Sequence, residues 1–280
     1  MSLMESYICE TDYTVWCCVM NCLIKLWEML TNTKVLDKFN AYARKLMDGI
    51  RFKVSWDITS NANPSEKFMT NLILSSLVTF GDKDAIDEGY KRFQQHVQGP
   101  KKMVSDLWTP CFYAAMIAAQ PEDYDALIEL YRNTPDDDNM RSELLYSLGK
   151  LQSAELIEKA LDFLLSPEVQ KEHVTRPLFS IVLTPLGRHV VWKYFLQNRD
   201  RFIDKFLTSR KLDTIIDIII SRNVCNIKAA KMQQYFDDNP IEGMCDVVKK
   251  SVNNVRLNSD WIKRDCELIE AFLDEKNNAC

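Results

Sequence analysis

Glycine is scarce: seven occur in 280 residues, and no two lie close enough to build a phosphate-cradling loop. That absence argues against the nucleotide-binding α/β folds. Histidine is scarcer. His96, His173 and His189 are the three present, and no two stand three or four apart, so no helix offers a paired imidazole face to a metal. No block of lysine and arginine is long enough to follow a nucleic-acid backbone, and the net charge of −5 is mild. No nucleic-acid partner is therefore expected. Residues 15–30 are apolar-rich but interrupted by Asn21, Lys25 and Glu28, so no membrane span or membrane partner is expected. A signal peptide and an Asn-x-Ser/Thr sequon are also missing. With nine cysteines in the chain, this points to a reducing, cytoplasmic setting.

What is present is a helical pattern. Hydrophobic residues make up 46% and charged residues 27%, the balance of an ordered globular protein. The length sits near the upper limit of about 250–300 residues for one compact core, so either two domains or one elongated array is required. Residues 1–3 have the form of an expression scar, and residues 4–280 read as a single helical-repeat domain. No stretch alternates with period two. Helices are expected over residues 14–30, 35–47, 65–80, 84–97, 105–119, 122–132, 140–148, 154–165, 175–183, 187–197, 201–207, 212–221 and 227–236. Asn63-Pro64 and Ser166-Pro167-Glu168 read as helix starts with proline in the first turn, and residues 135–138 as an acidic loop. Short turns make neighbouring helices antiparallel. The fold class is thus all-α: a superhelical stack of antiparallel helix pairs, a HEAT-like α-solenoid, although no residue signature recurs.

The tail, residues 243–276, carries two apolar runs at helical spacing: Val248, Val252 and Val255, then Ile262, Cys266, Ile269 and Leu273. Asn258-Ser259-Asp260 separates them and favours a cap, so a helix, a corner and a second helix are expected. Trp16, Trp192 and Trp261 read as core. Cys17, Cys18 and Cys22 cluster on one helix, with Cys18 and Cys22 on one face. No second Cys or His pair completes a metal pattern, so they read as small buried hydrophobes.

Several segments, in order, resemble one family. Asp12-Tyr13-Thr14-Val15-Trp16 is similar to the opening of the C-terminal helical domain of zinc aminopeptidases of the puromycin-sensitive and oxytocinase type. Arg92-Phe93 with His96-Val97-Gln98-Gly99, Glu143-Leu144-Leu145 with Leu148-Gly149, and Ala160-Leu161 with Leu165-Ser166-Pro167-Glu168-Val169 resemble it further on. Gly187-Arg188 with Val191-Trp192-Lys193-Tyr194-Phe195 continues the likeness. Asn258, Trp261, Lys263-Arg264-Asp265 and Ile269 close it. The subfamily it looks most like is the cytosolic puromycin-sensitive enzymes. Trp108 stands where relatives more often carry Arg, Arg199 where they often carry Trp, and Lys249-Lys250 where a Gln pair is common.

The resemblance implies a bowl or arch of helix pairs that walls the cavity of a separate catalytic domain, holds the distal part of a peptide substrate and gates access. It implies zinc in that absent domain. The family's H-E-x-x-H signature is missing here, so no catalytic residue, metal ligand or cofactor is assigned to these residues. An alternative is a free-standing helical-repeat scaffold or regulator that has lost its catalytic domain. Four residues are candidates for contact with peptide. Arg188 follows Gly187 at a helix start, where a cation is disfavoured unless an anion such as a peptide carboxylate is near; the plainer reading is a solvated arginine or one paired with a local carboxylate. Lys249 and Lys250 would line the cavity by family position, or form a solvated face. Asn258 reads as a cap or a contact.

Overall fold

The computed structural model describes residues 1–58, 62–99, 102–135, 139–207 and 211–278. Among these residues no strand occurs, and the all-α class expected from the periodicity is what forms. The chain divides into two compact units.

The first unit comprises Met1–Glu28, Lys34–Ser147 and Ile269–Cys280. It contains α1 (Ser2–Glu5), most of α2 (Tyr13–Leu30), α3 (Leu36–Leu46), α4 (Asp48–Arg51), α5 (Pro64–Thr79), α6 (Lys83–Gln98), α7 (Trp108–Ile117), α8 (Pro121–Asn133) and α9 (Asn139–Ser147). Asn63 starts α5 as the sequence anticipates: its side chain accepts from Glu66 N–H and the Glu66 carboxylate accepts from Asn63 N–H, with Pro64 in the first turn. Helices α5, α6 and α7 pack on one another. Phe93 and Phe112 meet edge-on there, 6.3 Å between ring centroids, a favoured aromatic geometry. Residues 136–138, most of the expected acidic loop, and Pro100 lie outside the described residues.

The second unit comprises Met29–Thr33 and Leu148–Leu268. It contains α10 (Ala154–Leu165), α11 (Thr175–Val182), α12 (Pro185–Phe206), α13 (Leu212–Ser221), α14 (Asn226–Asp238) and the larger part of α15 (Cys245–Asn278). Helices α10 and α13 have the bounds read from the sequence. Helix α12 joins two expected helices across a kink at Asn198, whose backbone leaves the helical region (φ −125°, ψ 25°). The Asn198 amide donates to the Tyr194 carbonyl at 3.1 Å, four residues back, so the side chain takes a partner that the kink exposes. Trp192 sits half-buried among Phe195, Tyr235 and Phe236.

Four expectations are corrected. The tail is one 34-residue helix, α15, with no corner at residues 258–260. Ser259 is buried and bridges the two apolar runs in phase, so the positions 248, 252, 255, 259, 262, 266, 269 and 273 step 4 and 3 without a break. No helix starts at Pro167. Ser166 Oγ instead accepts from Glu168 N–H, and Lys205 Nζ donates to the Ser166 and Val169 carbonyls at 2.6 and 2.8 Å, which ties the segment down as a turn. Trp16 is core, but Trp192 and Trp261 are only half-buried. Cys18 and Cys22 are exposed and Cys17 is intermediate, whereas Cys111 is buried. The two exposed thiols fall on the side of α2 opposite Trp16, Met20 and Leu23, so the helix buries a different face from theirs.

Candidate functional site

The second unit is organised around α11. Two glycines let neighbouring backbone approach it. A Cβ on Gly149 would lie 2.0 Å from Ser180 Oγ and 2.4 Å from the Ser180 carbonyl carbon. A Cβ on Gly187 would lie 1.8 Å from the Ile181 carbonyl oxygen. Neither position tolerates a side chain without backbone movement. Two of the sequence segments quoted above, Leu148-Gly149 and Gly187-Arg188, therefore carry a physical requirement. Thr184 caps α12 by accepting from Gly187 N–H at 3.0 Å, with Pro185 in the first turn.

This start fixes where Arg188 points. The side chain is buried, 3% exposed, rather than solvated. Its Nη1 donates to the Arg222 carbonyl at 2.7 Å and its Nη2 to Thr31 Oγ1 at 2.6 Å. The Arg222 carbonyl lies just past the end of α13, where helix carbonyls lack intrahelical donors and carry partial negative charge. Asn258 serves the same helix end: its Nδ2 donates to the Ser221 carbonyl at 3.2 Å and the Asn223 carbonyl at 3.5 Å. Two turns earlier on α15, buried Ser251 donates to Asp217 at 2.5 Å. The Arg222 guanidinium covers the Phe179 ring of α11 at 4.6 Å.

Two of the four candidates thus converge on three consecutive carbonyls, 221 to 223. Asn258 acts as a C-terminal cap for a neighbouring helix rather than for its own. Lys249 and Lys250 stand exposed on α15 and are not part of this cluster. Sequence reading missed Thr31, which lies 157 residues from Arg188 in the chain and gives no local signal. The other two departures are also integrated: Arg199 Nη2 donates to the Pro240 carbonyl at 3.0 Å, and Trp108 opens α7 half-buried.

Among the described residues, chemistry of another kind is sparse. Three cavities of about 580, 310 and 240 Å³ are lined by none of the four candidates. His96 is buried at the end of α6, and its Nδ1 accepts from Met103 N–H at 3.0 Å. Burial, and then the Lys102 cation, hold this imidazole below its ordinary pKa. Among the described residues no three His, Cys, Asp or Glu side chains are grouped to hold a metal, so they do not fit a zinc site. No helix among them is long and apolar enough to cross a membrane.

Comparison with known proteins gives the frame for this arrangement. The chain is 24% identical over 272 residues to Aminopeptidase M1-B of Oryza sativa, covering 94% of this chain and 30% of that protein. It is 24% identical over 281 residues to Aminopeptidase M1 of Arabidopsis thaliana, again 94% and 30%. It is 21% identical over 265 residues to Glutamyl aminopeptidase of Sus scrofa, 93% and 28%. The chain therefore spans about 30% of the length of the first two of these relatives. A family model described as ERAP1-like C-terminal domain matches residues 1–257, running through both compact units. The chain belongs to that family, the C-terminal domain of M1 aminopeptidase-type proteins.

Proposed function

We propose that the chain is the non-catalytic C-terminal domain of a zinc aminopeptidase that removes N-terminal residues from peptides. It walls the internal cavity, holds the distal part of the peptide and gates access to a catalytic domain of the same protein. The observation that carries this reading is the match through residues 1–257 to a domain covering about 30% of relatives named as aminopeptidases. On this reading, zinc and the reacting groups belong to residues outside this chain. Binding energy far from the scissile bond then aids positioning, and movement of the wall sets access. Both compact units act as one domain in this role, in the cytoplasm, where the eight described cysteines, all free, would stay reduced.

Outside that cluster, Lys249 and Lys250 are the peptide contacts, because they are exposed and their charge suits a peptide carboxylate. Arg188 and Asn258 serve substrate by holding the end of α13. The test is binding of a fluorescent acidic peptide to the chain, with and without Lys249→Ala and Lys250→Ala, beside an aminopeptidase assay with added zinc. Salt-sensitive binding that the lysine variants weaken, with no cleavage, is expected. Zinc-dependent cleavage by rigorously purified chain would overturn the non-catalytic role, and undiminished binding in the variants would remove the lysines from it.

A further inference from the structure

Helix α2 carries two exposed thiols that neither the fold nor the proposed role uses. Cys18 and Cys22 are four residues apart and both face solvent, so they stand one turn apart on a single face. Lys25 continues that face and is also exposed.

The spacing selects among thiol chemistries. Side chains four apart on a helix have Cβ atoms roughly 5–6 Å apart, whereas a disulfide needs about 3.5–4.5 Å. An intact α2 therefore disfavours a bridge between the two sulfurs. Two metal–sulfur bonds of about 2.3 Å set in line hold the sulfurs roughly 4.6 Å apart, which the intact turn spans. Zinc requires a third and fourth ligand, and among the described residues no group of three His, Cys, Asp or Glu offers them. The neighbouring Cys17 is half-buried and engaged with the Tyr13 hydroxyl. A soft monovalent ion that accepts two thiolates and no more fits what remains.

We propose that Cys18 and Cys22 form a two-coordinate site for copper(I). Both thiols lose their protons on binding, giving a bis-thiolate complex of net charge −1 with no change of oxidation state. Lys25, on the same face, offsets that charge. Because the second thiolate is delivered by the same helix, it acts at high effective concentration, and losing either sulfur weakens binding about 100-fold.

The test is anaerobic titration of the chain with copper(I) against bicinchoninate as competitor, with circular dichroism to confirm helicity. Roughly one copper(I) per chain is expected, with two sulfur neighbours by X-ray absorption and no comparable zinc(II) uptake. Cys18→Ser and Cys22→Ser should each lose this binding, and Cys245→Ser, at an exposed thiol on α15, should keep it. Binding that survives in Cys18→Ser or Cys22→Ser, a third sulfur at the metal, equal zinc(II) uptake, or no copper(I) held by the wild-type chain against the competitor would each overturn the proposal.

Discussion

A long-range tie in one compact unit and a long-range tie in the other are made by different means. In the second, buried Arg188 ties Thr31 to the end of α13, half-buried Asn258 serves the same helix end, and two glycines admit backbone against α11. In the first, the C-terminal end of α15 is fastened by charges near the surface. Lys34 and Lys38 pair with Glu270 at 2.8 and 2.9 Å, Lys38 with Asp274 at 2.7 Å, and Lys276 with Glu5 at 2.8 Å. Buried donors leave stranded acceptors when removed, whereas exposed ion pairs are replaced by water and salt. The second unit should therefore fail by changes of shape, and the first should respond to solvent.

The largest effect is expected from Gly187→Ala. With the Ile181 carbonyl oxygen 1.8 Å from the new methyl, backbone must move, at about 3 kcal/mol or more. Thermal unfolding checks the loss, and hydrogen exchange should locate it in α11 and the start of α12. A neutral Gly187→Ala would break the claim that close approach organises this unit.

Next comes Arg188→Met, which keeps the aliphatic length but removes the two donors that reach Thr31 Oγ1 and the Arg222 carbonyl. A loss of about 2–3 kcal/mol is expected, against about 1 kcal/mol for Asn258→Ala. Because both side chains serve one helix end, the double variant should depart from additivity. Additive losses in denaturant unfolding would show two independent contacts instead of one node.

A smaller effect belongs to the first unit and to pH. Burial, and then the Lys102 cation, hold the folded-state pKa of His96 below its ordinary value of about 6.5. As pH falls through that value the unfolded chain takes up the proton first, so stability declines from about pH 6.5 downward until the folded imidazole also titrates. His96→Gln removes this slope, and the difference between the two pH profiles of melting temperature isolates it. Identical slopes would refute it. The smallest effect is expected from Lys38→Gln. It should be detectable at low ionic strength and vanish at high salt; a salt-independent loss would make this pair structural in the way Arg188 is.

Much of the helical frame was legible because local rules acted unopposed. The helix start at Asn63-Pro64 and the bounds of α10 and α13 follow from nearby residues alone. The misreadings arose where tertiary partners outbid local preference. Asn258 and Ser259 look like a break, yet the amide of Asn258 is taken by α13 and Ser259 completes the buried stripe. The phase was in the sequence, since Val255 and Ile262 lie two turns apart, and it outweighed capping propensity. Arg188 was legible as unusual for a helix start but not as buried, because its partners are remote in the chain. The thiols of α2 were misassigned because cysteine composition does not say which face of a helix is covered.

The most direct test of the central claim is the size of the native protein in its source cells, using an antibody raised against residues 105–165. A band far above 32.6 kDa that co-purifies with zinc-dependent aminopeptidase activity is expected. A band at the size of this chain, without that activity, would contradict it and leave a solitary helical protein whose partners remain to be found.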